Sequence, residues 1–254
     1  MVVEGKQLGR KHYRPFLQVV AKTLGSSAEI VIKELRGTLT PASVDDVMQR
    51  WCAELFRIGK GDIEAFGLEH AADAARGPGA GRAYVLMTNH QSLMDVPSVV
   101  KTFPGRLRMV GKRELGDLPV WGHAMKAAGV VFVDRGNREQ SIKALERAKS
   151  QLLEGTSIWI APEGTRSKDG ELGPLKKGGF HIARQLGAPI LPAWISGTRQ
   201  IISPDGFGVR LHGHITVRYG APIETDGVDD DVPALMVRVR ERLLSLQAES
   251  QRSA

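Results

Sequence analysis

The fold is decided by the stretch Tyr84-Val85-Leu86-Met87-Thr88-Asn89-His90-Gln91-Ser92-Leu93-Met94-Asp95-Val96-Pro97. Its first four residues form a short apolar run that is typical of a buried strand. Pro97 suits the first turn of a helix, where its missing N–H group would have no partner in any case. The stretch therefore predicts a strand-to-helix turn that carries His90, with Asp95 near the start of the helix.

His90 and Asp95 stand five positions apart. Within one helix that spacing would rotate them by about 140° and point them apart, so they meet only if His90 precedes the helix. A carboxylate on one imidazole nitrogen would fix the tautomer, and the other nitrogen could then take a proton from an alcohol. On this motif alone, the alternative is that His90 caps the helix and Asp95 is an ordinary first-turn acid.

The composition indicates one globular domain with a sizeable core, since 42% of the 254 residues are hydrophobic. The formal net charge of +7 favours anionic partners, namely nucleic acid, an acidic membrane surface or phosphorylated substrates. Cys52 is the single cysteine, which excludes an internal disulfide and favours a reducing compartment. Because Cys52 lies in an apolar helical pattern, we interpret it as a core residue and not as a nucleophile.

Several functional classes lack their signatures. There is no Gly-x-Ser-x-Gly motif of serine hydrolases, and no spacing of Cys or His residues that predicts a metal site. An aromatic content of 6% argues against a nucleic-acid-binding module, which stacks bases on aromatic rings. We expect neither an N-terminal leader peptide nor a transmembrane helix, because no apolar run approaches 18 residues.

Two amphipathic helices are predicted before the central stretch. The first spans Tyr13 to Gly25, and the second begins with Thr40 as its cap and Pro41 as its first residue, and ends at Gly59. Both helices fit either of two roles, packing against a globular core or anchoring the protein at a membrane interface. We therefore divide the chain into N-terminal amphipathic helices, residues 1–60, and an α/β domain, residues 61–254.

Strands and helices alternate over the rest of the chain, which predicts an α/β fold with a mostly parallel central sheet flanked by helices. The predicted strands are 63–66, 84–87, 107–110, 130–133, 157–161 and 190–195, with a hairpin formed by 209–211 and 215–219. The predicted helices are 96–101, 119–126, 138–153, 180–186 and 233–246.

Chemically active side chains directly follow four of these strands: His90, Lys112, Arg135 and the turn Glu163-Gly164-Thr165-Arg166. If these strands are parallel neighbours, one crevice at their carboxyl ends collects all four groups. Arg166 suits bidentate phosphate binding, and Gly164 would let backbone amides approach an anion. We interpret Glu163 as an orienting partner of Arg166. Each cation taken alone also fits a solvated surface charge.

Four ordered blocks resemble those of the glycerolipid acyltransferases, and most closely the bacterial 1-acylglycerol-3-phosphate acyltransferases. These blocks are Asn89-His90-x-x-x-x-Asp95, Val131-Phe132-Val133-Asp134-Arg135, Pro162-Glu163-Gly164-Thr165-Arg166-Ser167 and Ile190-Leu191-Pro192-Ala193. One departure is Ile160-Ala161 before Pro162, where the family commonly has an aromatic residue. No charged group is lost there.

The resemblance implies a glycerol-3-phosphate acyltransferase-like fold with an N-terminal amphipathic two-helix motif, residues 1–60, that associates with the membrane. It implies His90 as general base, oriented by Asp95, and an acceptor-phosphate site of Lys112, Arg135 and Glu163 to Arg166. It further implies a peripheral enzyme on the cytoplasmic side of the cell membrane, which acts on an anionic membrane surface and needs no cofactor.

The reaction expected from the resemblance moves an acyl chain from a thioester, acyl-coenzyme A or acyl-carrier protein, to the 2-hydroxyl of lysophosphatidic acid, and makes phosphatidic acid. An alternative acceptor is glycerol 3-phosphate or another lyso-lipid such as a lyso-aminolipid. A non-catalytic lipid-binding protein on the same fold is a further alternative. Intact His90 and Asp95 argue against it.

Overall fold

The computed structural model describes residues 13–74, 76–77, 79–134, 138–202, 208–225 and 231–252. In chain order the helices are α1 Tyr13–Leu35, α2 Pro41–Gly59, α3 Asp95–Thr102, α4 Trp121–Ala127, α5 Arg138–Leu153, α6 Gly178–Gln185, α7 Thr198–Ile201 and α8 Val232–Arg252. The strands are β1 Asp62–Phe66, β2 Val85–Thr88, β3 Leu107–Lys112, β4 Val131–Val133, β5 Ser157–Ile160, β6 Ile190–Ser196 and β7 His214–Tyr219. Short 3₁₀ helices span Leu68–Ala71 and Arg113–Asp117.

The seven strands form one sheet in the order β1-β7-β6-β2-β5-β3-β4. Strands β2 to β6 run parallel to one another, whereas β7 is antiparallel to β6 and pairs in parallel with the edge strand β1. The predicted fold class, α/β with a mostly parallel central sheet flanked by helices, is confirmed. In this order β2 lies at the centre, between β6 and β5.

Alternation along the strands divides the core between the two faces of the sheet. In β2, Leu86 packs on the face that carries α2 and α3, whereas Val85 and Met87 pack on the face that carries α5, α6 and α8. All four β2 residues are fully buried, as expected for a central strand of a parallel sheet. Cys52 of α2 is buried as predicted, and this burial raises the pKa of its thiol to about 12.

The second N-terminal helix begins and ends close to the predicted residues. Thr40 caps α2 by accepting a hydrogen bond from the backbone N–H of Ser43, and the Ser43 hydroxyl accepts one from the Thr40 N–H. Such a reciprocal pair satisfies two donors that a helix start leaves open. Beyond Gly59, Lys60 adopts the left-handed conformation that ends the helix.

Helix α1 extends ten residues beyond its predicted end at Gly25, to Leu35. The added half packs against α2 and α4, where Ile30 joins Val44, Val47 and Ala124 in a small buried cluster. A glycine inside a helix costs only about 1 kcal/mol relative to alanine, so this packing outweighs the break that Gly25 suggests.

The predicted hairpin of 209–211 and 215–219 is wrong. Strand β7 pairs with β6 and β1 instead. The backbone N–H of Arg210 donates to the carbonyl of Ile201, the last residue of α7. The N–H of His212 donates to the carbonyl of Gly59, the last residue of α2. His212 lies before β7 and has a φ of +61°, a left-handed conformation outside the strand region.

Candidate active site

One carboxylate oxygen of Asp95 contacts three groups of the turn between β2 and α3. Its Oδ2 accepts hydrogen bonds from the backbone N–H groups of Gln91 and Ser92 at 2.7 and 2.9 Å, and lies 2.7 Å from His90 Nδ1. Asp95 is fully buried, whereas the His90 side chain is 21% exposed. The predicted pairing of His90 with Asp95 is thus present, with His90 in the turn before the helix.

This geometry determines the chemistry open to the imidazole. Two backbone donors point at Oδ2, which therefore acts as an acceptor, so the proton shared with His90 belongs on Nδ1. The other ring nitrogen, Nε2, then carries a lone pair and can accept a proton from a hydroxyl group. The pair is suited to general-base catalysis in which the alcohol is the nucleophile.

The two strands that neighbour β2 in the sheet, β6 and β5, both contact the turn. Asn89 continues the sheet with its side chain, because its amide donates to the carbonyl of Ile195 and its Oδ1 accepts from the Ile195 N–H. On the other side Trp159 of β5 meets the His90 ring edge-on at 5.7 Å and donates from its indole to Thr88. Sequence reasoning missed Trp159; the one available signal is an aromatic residue near the carboxyl end of a predicted strand.

Glu163 lies in the turn after β5 and is 4% exposed. Its Oε1 accepts from the backbone N–H of His90 at 2.9 Å, and its Oε2 accepts from the N–H of Gly173 at 2.8 Å. Burial raises the pKa of this carboxyl, and the two backbone donors oppose that shift. We expected Glu163 to orient Arg166; instead, both of its oxygens hold backbone groups, one of them in the catalytic turn.

The other predicted site residues lie at the same edge of the sheet. Lys112 ends β3 and is exposed, while Thr165 is exposed and Arg166 half-buried in the turn after β5. Because β2, β5 and β3 are consecutive parallel neighbours, their carboxyl ends meet at one edge, as predicted. Gly164 has a φ of +68°, a left-handed conformation that favours glycine. Arg135 lies outside the described residues.

Beyond this edge, the described part of the chain holds no group of three His, Cys, Asp or Glu side chains placed to bind a metal. Away from this edge of the sheet, His123 Nε2 of α4 lies 2.7 Å from a carboxylate oxygen of Glu34 in α1.

Comparison with known proteins places this site in a family. The model of the family described as Acyltransferase matches residues 63–196, which is just over half of the chain. The chain belongs to the acyltransferase family. The match includes His90, Asp95 and the Glu163 to Arg166 turn, so all four sequence blocks fall within the acyltransferase region.

Similar sequences carry a consistent name. The chain is 35% identical over 168 residues to 1-acyl-sn-glycerol-3-phosphate acyltransferase alpha of Mus musculus, covering 65% of this chain and 59% of that protein. It is 33% identical over 192 residues to 1-acyl-sn-glycerol-3-phosphate acyltransferase of Saccharomyces cerevisiae, covering 74% of this chain and 60% of that protein. The chain therefore spans about three-fifths of the length of these curated relatives.

A solved structure shares the fold. The 1-acyl-sn-glycerophosphate (LPA) acyltransferase PlsC from Thermotoga maritima superposes with a TM-score of 0.75 over 94% of each chain, at 22% identity. In the part of this acyltransferase-family chain that the structure describes, no helix combines the length and apolarity needed to cross a membrane.

Proposed function

We propose that this chain transfers an acyl group from a thioester to the 2-hydroxyl of 1-acyl-sn-glycerol 3-phosphate and so produces phosphatidic acid. The observation that carries this proposal is the His90–Asp95 pair, whose 2.7 Å contact leaves Nε2 of His90 free to accept a hydroxyl proton. The family match supports acyl transfer, and the names of the similar proteins support this acceptor.

The hydroxyl oxygen attacks the thioester carbonyl while His90 takes its proton. The C–S bond then breaks, and the sulfur leaves with the carrier as a thiol after taking that proton from His90. No acyl-enzyme forms in this scheme, because the alcohol itself is the nucleophile. Lys112, Arg135 and the turn from Glu163 to Arg166 form the acceptor-phosphate site. Within this turn Gly164, Thr165 and Arg166 face the phosphate, while the buried Glu163 holds the turn in place. Binding of the acceptor's phosphate holds its 2-hydroxyl near His90, so that binding energy is used to orient the reacting group.

We further propose that the enzyme works as a peripheral protein on the cytoplasmic side of the membrane. The first half of α1 exposes an apolar stripe of Tyr13, Leu17, Val20 and Leu24, which are 40–66% exposed. Their spacing of four, three and four residues places them on one face of the helix. The net charge of +7 complements an anionic lipid surface. Acyl-coenzyme A or acyl-carrier protein is the donor, and no cofactor or nucleic acid takes part.

The decisive test compares the parent chain with His90→Ala. Thiol release from palmitoyl-coenzyme A is followed with and without lysophosphatidic acid, and the lipid product is identified by mass spectrometry. We expect release that depends on the acceptor, phosphatidic acid as product, and a loss of about 10²–10⁴-fold in rate in His90→Ala. His181→Ala changes an exposed histidine of α6 and should keep the parental rate.

Any of three outcomes would remove the proposal. A His90→Ala variant that forms phosphatidic acid at the parental rate would show that His90 is not the base. A parent that leaves lysophosphatidic acid unchanged but acylates glycerol 3-phosphate or a lyso-aminolipid would assign the alternative acceptor. Lipid binding without turnover of any acceptor by either donor would favour the non-catalytic alternative.

A further inference from the structure

A polar cavity lies beside the catalytic turn. Its volume is about 210 Å³, and it is bounded by the loop after β5, the end of β6, α7 and the last turns of α8. Gln91, the residue that follows His90, forms part of its wall. In the strand order, the cavity adjoins the end of β6 on one side of β2, whereas Lys112 ends β3 on the other side.

The wall is unusually rich in side-chain amides. Gln91, Gln200, Gln247 and Gln251 all line the cavity, and each carboxamide offers two donors and one acceptor. The amide of Gln91 donates to the carbonyl of Gly170, which holds that side chain in the wall. These groups match a ligand that itself carries secondary amides.

The rest of the wall favours a neutral ligand. Trp194 provides an apolar surface and is 3% exposed. Arg199 also lines the cavity, and its Nε is buried without a hydrogen-bond partner among the described residues. This N–H group can therefore donate to an acceptor on a ligand. Because Asp169 and Glu171 add two carboxylates, the cavity does not offer the excess of cations that a phosphate requires.

We propose that this cavity binds the pantetheine arm of the acyl donor, an inference that rests on the acyltransferase function proposed above. This arm is neutral, contains two amide groups and ends in the sulfur that carries the acyl chain. Coenzyme A and acyl carrier protein both present it. With its sulfur end at Gln91, the thioester lies next to His90, and the donor and the acceptor phosphate approach the catalytic turn from opposite sides of β2.

The volume is consistent with part of the arm. A water molecule occupies about 30 Å³ in the liquid, so the cavity has room for about seven waters. That space accommodates the segment nearest the sulfur, which contains the amides. The remainder of the arm lies over the mouth, beside the exposed Gln200 and Gln251.

The test uses the full chain and the single variants Gln200→Leu and Gln247→Leu. Each removes one carboxamide from the wall and keeps similar volume. Gln185→Leu is the matched control, because it makes the same change at an exposed residue that ends α6 and does not line the cavity. The donors are palmitoyl-coenzyme A, palmitoyl-acyl carrier protein and the truncated thioester of N-acetylcysteamine, which keeps only the amide nearest the sulfur.

We expect the KM of both full-length donors to rise about tenfold in each cavity variant and to stay at the parental value in the control, because an amide of the arm loses its partner only in the cavity. The KM of lysophosphatidic acid and all constants for the truncated donor should match the parent. Free pantetheine should compete with palmitoyl-coenzyme A in the parent and compete about tenfold less well in the cavity variants. A shift with only one carrier would support the site and identify that carrier as the donor.

Unchanged donor KM values in both folded cavity variants would overturn the cavity proposal and leave the acyltransferase function intact. An equal loss in both variants with the truncated donor would overturn it as well, since the effect would then not depend on the outer part of the arm, which only the full-length donors carry. A parent chain that turns over none of the three donors would overturn the proposed function instead. Circular dichroism shows which variants are folded. If one cavity variant is not, Gln251→Leu replaces it, because Gln251 is exposed near the end of α8.

Discussion

Glu163 shows how one buried carboxylate organises two loops at the residue scale. It bonds to the backbone of His90 in the catalytic turn and to the backbone of Gly173 ten residues further along its own loop. The approach to Gly173 is so close that a Cβ atom there would lie 3.0 Å from Glu163 Oε2. Glu163 therefore positions His90 through its main chain, without needing contact with the substrate.

Replacing Glu163 with Gln tests this positioning role. An amide has one acceptor oxygen and one donor nitrogen, so one of the two backbone N–H groups would face another donor. We expect kcat to fall by about 10²-fold, because a misplacement of about 1 Å in a catalytic group has that effect. The KM for lysophosphatidic acid should change by less than about threefold.

The control for this variant is Glu146→Gln, which changes an exposed carboxylate of α5 and should leave both constants unchanged. The positioning role would be contradicted if the substitution changed KM for the acceptor and not kcat. A large rise in the acceptor KM with a preserved kcat would mean that Glu163 acts on the phosphate, and that its backbone bonds are incidental to the reaction.

At the scale of elements, α1 combines two different surfaces along one helix. Its second half is held in the small cluster around Ile30, and Trp51 of α2 donates a hydrogen bond to Thr23 near the middle. The first half carries the apolar stripe of Tyr13, Leu17, Val20 and Leu24 on its exposed side. One half therefore fixes the helix to the protein, and the other presents an apolar face outward.

We expect the double variant Leu17→Ser, Leu24→Ser to bind vesicles of phosphatidylglycerol at least about tenfold more weakly than the parent in a flotation assay. Each leucine contributes about 1.5–3 kcal/mol when fully buried, and an interfacial helix realises part of that value. Leu153→Ser is the matched control, because Leu153 is 75% exposed on α5, across the sheet from the N-terminal helices. Equal partitioning of all three proteins would exclude the stripe as the membrane contact.

The elements also show what sequence patterns can and cannot predict. Strands β2, β5 and β6 were predictable because they are continuous apolar runs, and the start of α2 because Thr40 and Pro41 are strong local signals. The segment 209–211 has an apolar pattern too, but Arg210 bonds to Ile201 and the following His212 bonds to Gly59, partners that no local rule reveals. Periodicity predicts which residues are buried; it does not predict the distant partner of a short segment.

The same distinction applies to the site. The His90–Asp95 pair was predictable because both residues belong to one local strand-to-helix segment, where they meet if the helix begins after His90. The role of Glu163 was not predictable, because its partners depend on the order of the strands and on the path of a loop. Trp159 is a similar case: its place beside His90 follows from the pairing of β2 with β5. The roles of Lys112 and Arg166 in binding phosphate stay predictions.

At the scale of the whole molecule, an ionic cluster ties the N-terminal helices to the sheet at the edge opposite the active site. Asp45, in the first part of α2, bonds through one oxygen to Arg108 at 2.6 Å and through the other to Arg106 at 2.7 Å. Arg108 is buried and also donates to the carbonyls of Leu107 and Pro41. Both arginines lie at the start of β3, so this cluster and His90 are at opposite ends of the parallel strands.

We expect Asp45→Ala to lower the free energy of unfolding by about 2–3 kcal/mol in urea denaturation. Loss of one partner leaves the buried Arg108 with an uncompensated charge, which costs about 3–5 kcal/mol in a fully buried pair. The value here is smaller because the Asp45 side chain is 31% exposed. Asp46→Ala is the matched control, since its pair with Arg50 is exposed on both sides and should contribute less than about 1 kcal/mol.

The comparison of Asp45→Ala with Asp46→Ala shows which interaction attaches the N-terminal helices to the sheet. If Asp45→Ala is the costlier change, the helices that carry the exposed apolar stripe are held to the sheet by a buried charge pair, and the distance from the membrane contact to His90 is set by the fold. Equal effects of the two variants would show that apolar packing alone, such as that of Cys52 and Phe56 of α2 against the sheet, holds the helices in place.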